Sequence, residues 1–301
     1  MRWSLVRVRL EAPKKYLVRM NVYWVFENAR RKCPFELSRL ELFCLITSVI
    51  NWKKLYPNTT THLYCDGAVY DLLQNQYGAT HLWDHVDIKT LSLADRVHRK
   101  YFYAASKIKV MRTLKAPYII MDADFFMQSN RLKLEELEPY GLVTYMIESD
   151  RFYPDHTKTP YKEMNDEEQI EWVRGFAMNV AWTYMGSQEL QQEFTRICWK
   201  WMNKLDYRKY ENFFIESEMM YVEQGLIMQL ANKLKIKKGL LTGLTHYDDK
   251  IEKIPADFDI KGLTMREDVH HMGYTKTQSL TDIDIWEQQF MMMFKSILKR
   301  K

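Results

Sequence analysis

Asp122 and Asp124 are the residues of this chain best suited to chemistry. They end an apolar run of strand length, Tyr118-Ile119-Ile120-Met121, and a second apolar pair, Phe125-Phe126, follows them. In a strand buried on both faces, charge is tolerated only where the strand leaves the sheet, so the pattern predicts a carboxyl edge at this point. Open α/β sheets bind their ligands at that edge. Two carboxylates held so close repel each other unless a cation lies between them. The ion suited to bridge them to a phosphorylated ligand is Mg²⁺ or Mn²⁺. A solvated strand end would show the same D-x-D, so the pair needs partners elsewhere in the chain.

Such partners stand near the far end, in His270-His271-Met272-Gly273-Tyr274-Thr275-Lys276. Here the sequence resembles the nucleotide-sugar glycosyltransferases of the GT-A fold, most closely the glycogenin and lipopolysaccharide galactosyltransferase group (family 8). That group carries an apolar strand ending in D-x-D and, far downstream, H-x-x-G-x-x-K. His270, Gly273 and Lys276 match the second motif, while Thr277-Gln278 replaces the usual Pro-Trp. The resemblance implies that Asp122, Asp124 and His270 hold Mn²⁺ or Mg²⁺ and that Lys276 contacts the diphosphate of the donor. Imidazole with carboxylates suits a borderline first-row ion, and a glycine lets backbone approach phosphates closely. Of two adjacent histidines one points elsewhere, and His271 is taken as that one.

Three further stretches resemble the family in the expected order. Ser106-Lys107-Ile108-Lys109 falls where the family places a basic residue on the helix before the metal strand, which makes Lys107 a donor-phosphate contact. Phe176-Ala177-Met178-Asn179-Val180-Ala181 resembles its F-N-x-G strand near the donor sugar, without the glycine, and makes Asn179 a donor contact. Tyr221-Val222-Glu223-Gln224-Gly225-Leu226 resembles its D-Q-x-x-L helix start, with Glu for Asp. That implies Glu223 and Gln224 beside the reacting sugar carbon, as the catalytic candidates. The same two residues would need no role on an ordinary amphipathic helix. The resemblance spans roughly residues 20–276.

The chain of 301 residues fits one large α/β domain. Hydrophobic residues make up 47%, which supports a packed globule rather than disorder. The 9 Trp and 19 Tyr suit a dense aromatic core, or stacking surfaces for a base or sugar ring. A net charge of +5 is mild and no dense basic run is present, so a nucleic-acid partner is possible but not favoured. Four cysteines lie far apart without C-x-x-C spacing, against a zinc site or a disulfide framework and in keeping with a reducing cytoplasm. No apolar stretch reaches the roughly 18 residues of a membrane span, and this argues for a cytoplasmic enzyme of bacterial or viral origin.

Strand and helix patterns alternate through the first half. Met20–Phe26 reads as the opening strand, Ser38 to Lys54 as an amphipathic helix with capping-box spacing, Thr61–Cys65 as a strand and Val69–Tyr77 as a helix. Val86–Ile88 is a short strand, residues 99–115 the helix that delivers Lys107, and Leu142–Ile147 a strand. The expected fold is therefore α/β: a GT-A-like, mostly parallel nucleotide-binding sheet flanked by helices. The polar residues 149–171 read as a loop with a short helix, either a flap over the donor or an inert surface insertion. Helices are expected over 187–204 and 216–235. Three regions follow: a basic extension over 1–19, or an upstream start; the glycosyltransferase-like domain over 20–280; and an amphipathic C-terminal helix over 281–301. That helix carries an apolar stripe that either docks on its own domain or makes a peripheral membrane contact.

The function expected is metal-dependent transfer of a sugar from a nucleoside-diphosphate sugar to an acceptor, a surface glycan first and a modified DNA base, as in some phage enzymes, second. Two other classes remain open. A nucleotidyltransferase would show more carboxylates or a glycine-rich phosphate loop after the first strand, and Glu27-Asn28-Ala29-Arg30 offers none. A non-catalytic nucleotide-sugar-binding protein would lack metal-dependent turnover.

Overall fold

The computed structural model describes residues 19–27, 39–88, 97, 102–148, 154–173, 177–205, 217–242, 258–259, 262–264 and 269–271. The first half alternates β1 (Asn21–Phe26), α1 (Arg39–Leu55), β2 (Thr60–Cys65), α2 (Gly67–Asp71), β3 (His85–Ile88), α3 (Ala105–Met111) and β4 (Tyr118–Met121), then turns into β5 (Phe125–Met127). The second half runs β6 (Leu142–Glu148), α4 (Tyr161–Glu167), β7 (Ala177–Met185), α5 (Gln188–Lys204) and α6 (Ser217–Met220). One π-helical turn, Tyr221–Gly225, joins α6 to α7 (Leu226–Lys233); then come β8 (Lys238–Leu240), β9 (Phe258–Asp259) and β10 (Val269–His271).

The described strands form an eight-stranded sheet in the order β3-β2-β1-β4-β7-β6-β8-β9, beside a two-stranded sheet of β10 and β5. In the large sheet β7 runs antiparallel to both its neighbours, β4 and β6, and the other adjacent pairs are parallel. The expected α/β architecture, mostly parallel and flanked by helices, is the one observed.

Alternation along β4 explains why this strand reads as an unbroken apolar run. Tyr118 and Ile120 join the core beneath α3, α5 and α7, whereas Ile119 and Met121 join the core beneath α1. All four are buried, because helices cover both faces of the sheet. On the α1 side one hydroxyl ties the layers together. Trp24 Nε1 donates to Ser48 Oγ at 2.9 Å, and Ser48 Oγ donates to the Phe125 carbonyl at 2.7 Å. Ser48 thereby fixes β5, and with it the turn that carries both aspartates.

Differences from the sequence reading have local causes. The helix expected over 99–115 is α3, which ends at Met111 although its sequence pattern continues. Gln191 Nε2, reaching over from α5, donates to the carbonyls of Met111 and Leu114 at 2.7 and 2.8 Å and takes over the helix end. The helix expected over Val69–Tyr77 starts earlier, where Asp66 accepts from the Val69 N–H at 2.9 Å, and widens into a π turn at Leu72–Gln76. All but Arg19 of the basic extension expected over 1–19, the helix expected over 281–301, Gly273 and Lys276 lie outside the described residues.

Replacing Ser48 with Ala is expected to cost about 1–3 kcal/mol, since it strands the Trp24 N–H in the core and removes the tie between α1 and the Phe125 carbonyl. Urea unfolding with an unchanged m-value checks this. A loss below roughly 0.5 kcal/mol would mean that β5 is held by other means.

Candidate active site

The chain leaves β4 at Asp122, whose N–H still donates to the Ala181 carbonyl of β7 at 2.8 Å. Phe125 N then donates to the Asp122 carbonyl at 3.2 Å, so Asp122-Ala123-Asp124-Phe125 is a tight turn between β4 and β5. Both aspartate side chains are half-buried at the carboxyl edge of the sheet. Acidic residues also follow β1, as the buried Glu27, and β2, as Asp66, and Glu148 ends β6.

Lys107 sits behind this turn. Only 7% of its side chain is exposed, and its ammonium meets oxygens from three different elements. These are Asp122 Oδ1 at 2.9 Å, the Val180 carbonyl at 3.0 Å and Glu223 Oε1 at 3.1 Å. Burial alone would lower its pKa. The charges of Asp122 and Glu223, and their hydrogen bonds, overcome that and hold the ammonium above its ordinary value. The carbonyl is available because β7 bulges here. Thr144 pairs with Thr183 but Met146 pairs with Asn179, so the residues between slip out of register with β6. Asn179, at the lip of the bulge, donates from Nδ2 to Glu148 Oε1 at 2.5 Å and accepts the Ala181 N–H at 2.9 Å.

Glu223, 4% exposed, projects from the π turn of Tyr221–Gly225. Such turns concentrate at functional sites because they re-aim side chains within an otherwise regular helix. Gln224 follows it, half-buried. Ser106, the residue before Lys107, donates its hydroxyl to Glu27. One ammonium thus stands between carboxylates from the end of β4 and from the π turn, and a third carboxylate, that of Glu27, is hydrogen-bonded to the neighbouring Ser106. Cys198 lies near Glu223 and donates to the Val222 carbonyl at 3.1 Å; burial pushes its thiol well above the usual range, which leaves it inert as a nucleophile.

Of the residues singled out from sequence, Lys107, Asp122, Asp124, Asn179, Glu223 and Gln224 belong to this edge. His270 enters through its backbone. β10 pairs antiparallel with β5 in the register Val269↔Met127, His270↔Phe126, His271↔Phe125, and so runs toward the aspartate turn. Among the described residues no three His, Cys, Asp or Glu side chains converge as metal ligands. Sequence reasoning missed the ion pair between Lys107 and Glu223, the Glu27–Ser106 bond and the Glu148–Asn179 bond. Only Glu27 carried a signal, as an acidic residue directly after an apolar strand.

A groove of about 810 Å³ opens at the opposite, amino edge of the sheet, lined among others by Arg19, Tyr56, Asn58, Pro117, Lys133 and Glu138. It is remote from the acidic turn, and it is the charged groups at the strand ends, rather than volume, that mark where chemistry can occur.

No protein-family model matches the chain, and no curated protein sequence matches it. Among solved structures it is similar to mouse xyloside xylosyltransferase 1 in its apo form, at 12% identity and a TM-score of 0.45, over 87% of this chain and 100% of that one. It is also similar to the galactosyltransferase LgtC in complex with donor and acceptor sugar analogues, at 11% identity and a TM-score of 0.46, over 92% and 96%. A third is the nucleoside-diphosphate-sugar pyrophosphorylase from Vibrio cholerae RC9, at 11% identity and a TM-score of 0.41, over 84% and 95%. The likeness is one of general layout.

Lys107→Met is expected to destabilise the protein by about 3–5 kcal/mol, because Glu223 is left buried without its counter-charge. Adding Glu223→Gln to that variant should restore part of the loss, and a double-mutant cycle from chemical denaturation measures it. Simple additivity would show that the two side chains do not share a charge.

Proposed function

We propose that this chain is a metal-dependent glycosyltransferase that moves a sugar from a nucleoside-diphosphate sugar to a hydroxyl acceptor. The observation that carries the reading is the meeting of Asp122, Lys107 and Glu223 at the carboxyl edge, with the backbone of His270 entering beside the same turn. The donor set suits Mn²⁺ or Mg²⁺: two half-buried carboxylates on one turn, Asp122 and Asp124, with His270 as the third ligand. The ion, when bound, supplies Lewis acidity for the charge that grows on the departing diphosphate.

The residues of the chain do the rest. Lys276 and Lys107 provide the cationic surroundings of the diphosphate, and Gly273 lets backbone lie close to the phosphates. Asn179, fixed at both ends of its amide, orients the donor sugar. In this reading Glu223 stabilises positive charge on the reacting sugar carbon or accepts the proton of the incoming hydroxyl, with Gln224 as its neutral hydrogen-bonding companion. Lys107 sets a positive charge 3.1 Å from that carboxylate.

For the acceptor we infer a surface glycan, with a modified DNA base as the competing assignment. A screen of sugar nucleotides and acceptors, followed by release of nucleoside diphosphate, distinguishes them. We infer a cytoplasmic enzyme, with the helix expected from sequence over 281–301 as its candidate peripheral membrane contact. No described helix is long and apolar enough to cross a membrane.

Calorimetry with UDP and GDP is expected to show binding that requires Mn²⁺ or Mg²⁺. Asp124→Ala should abolish both that requirement and turnover while leaving the melting temperature unchanged or higher, since it removes one of two repelling carboxylates. Equally tight binding in EDTA would remove the metal from the account.

Lys276→Ala is expected to weaken nucleoside-diphosphate binding by about one to two decades, the worth of a charge-assisted contact to phosphate in a partly dry cleft. Affinity for the nucleoside alone should change little, and Lys261→Ala should be silent. Equal tolerance at both lysines would leave the reading resting on Asp122 and Asp124 alone.

A further inference from the structure

The polar stretch after β6 is bound along the helix that carries Glu223. Tyr161 donates its hydroxyl to Glu218, and Asn165 Nδ2 donates to the Tyr221 hydroxyl at 2.9 Å. The Trp172 ring lies on the Tyr221 ring at 4.2 Å and 4°, and Tyr161 packs against the same ring at 4.8 Å. Further along, the Gln229 amide makes a reciprocal pair with the backbone of Val173, 3.1 Å each way, and Lys233 Nζ donates to the Glu168 carbonyl at 2.6 Å. These contacts fall on α6, on the π turn and on α7, so residues 161–173 follow the helix from before its widened turn to its end.

Tyr221 is the first residue of the π turn, and Glu223 lies on the same turn. A π turn is less favourable than the α-helical turn it replaces and persists where surrounding contacts hold it. Here the contacts are polar ones inside an aromatic cluster. Burial pushes the Glu218 carboxyl up, against the hydrogen bond from Tyr161. Apolar side chains of similar volume would fill that space at less cost, and a buried polar network has the further property of specifying one arrangement. From the other side, Cys198 of α5 donates to the Val222 carbonyl of the same turn.

We propose that residues 161–173 are a brace that holds the π turn and so sets Glu223 against Lys107, with Asn165, Tyr221 and the Tyr161–Glu218 pair as positioning residues. A brace is a third role, beside flap and inert insertion, for this part of the stretch over 149–171. The inference rests on the assignment of Glu223 to the reacting centre, and the geometry it invokes exists without that assignment. Relaxation of the turn to regular α-helix would rotate Glu223 and every residue before it about the helix axis, and would part the carboxylate from the ammonium.

The test uses Asn165→Leu and Tyr221→Phe in the full chain, read by amide hydrogen exchange over residues 217–233 and by steady-state kinetics. Exchange at 221–226 is expected to quicken at least about tenfold in both variants, while α5 and the strands keep their protection. In the same variants kcat should fall about ten- to a hundredfold with little change in donor KM or in metal-dependent nucleoside-diphosphate affinity. Glu218→Gln, which still accepts the Tyr161 hydroxyl, should retain kcat, and Glu218→Leu should not. Unchanged exchange at 221–226 would overturn the brace. So would a loss of protection spread over the whole chain, which marks a structural role alone. If the wild-type chain transfers no sugar, the function reading fails by itself, and the exchange data still decide the brace. Tyr221→Phe, which removes a single oxygen, carries the test if Asn165→Leu does not fold.

Discussion

The ammonium of Lys107 is the point on which the site depends. A lysine so buried is costly, and it stays charged here because three oxygens replace its water: a carboxylate at the end of β4, a carbonyl from the bulge in β7 and a carboxylate from the π turn. Each contact requires a departure from regular structure. β4 must stop at Met121, β7 must lose register against β6, and the helix over 217–233 must widen by a turn. Three irregularities meeting at one cation are hard to account for by packing alone. They make sense as the arrangement that brings two carboxylates from distant parts of the chain to one edge without mutual repulsion.

The sheet topology supplies the setting. β1, β2, β4 and β6 all point toward the same edge, and the antiparallel β7 begins there, so residues that follow strands and residues that precede one share a single rim. The turn that carries the aspartates is itself fixed from both sides. Ser48 holds the Phe125 carbonyl from the core, and β10 pairs with β5 beyond it. Ser106, the neighbour of Lys107, holds a third carboxylate, that of Glu27. The rim is therefore preorganised, which is what stabilisation of developing charge requires.

Much of this was legible in the sequence where one residue type decides the local structure. An apolar run ended by Asp122 can only leave a buried sheet, and the strand–helix alternation before it dictates a parallel half. The partners of Lys107 were not legible, because no periodicity links α3 to the π turn or to a β7 carbonyl. Only the folded topology joins them. The end of α3 was misread for the same reason: Gln191 of α5 supplies the stop, and nothing near Met111 announces it. β10 has three residues, too few for any strand pattern, and His270 stood out by motif alone. The stretch over 149–171 reads as a loop with a short helix because its residues are mostly polar, and α4 is that helix. Tyr161 and Asn165 within it, and Trp172 just past it, dock it on the helix, and nothing in their own stretch of sequence names Tyr221 or Glu218 as the partner.

The central claim is that the aspartate turn holds a divalent ion on a nucleoside diphosphate. It is tested most directly by a crystal structure of the protein grown with Mn²⁺ and UDP, with the ion located by its anomalous signal. The account predicts one strong peak with oxygens of Asp122 or Asp124 and of the diphosphate at about 2 Å, and the His270 imidazole within the same coordination sphere. A diphosphate bound in the amino-edge groove, or an ion that ignores both aspartates, would contradict it.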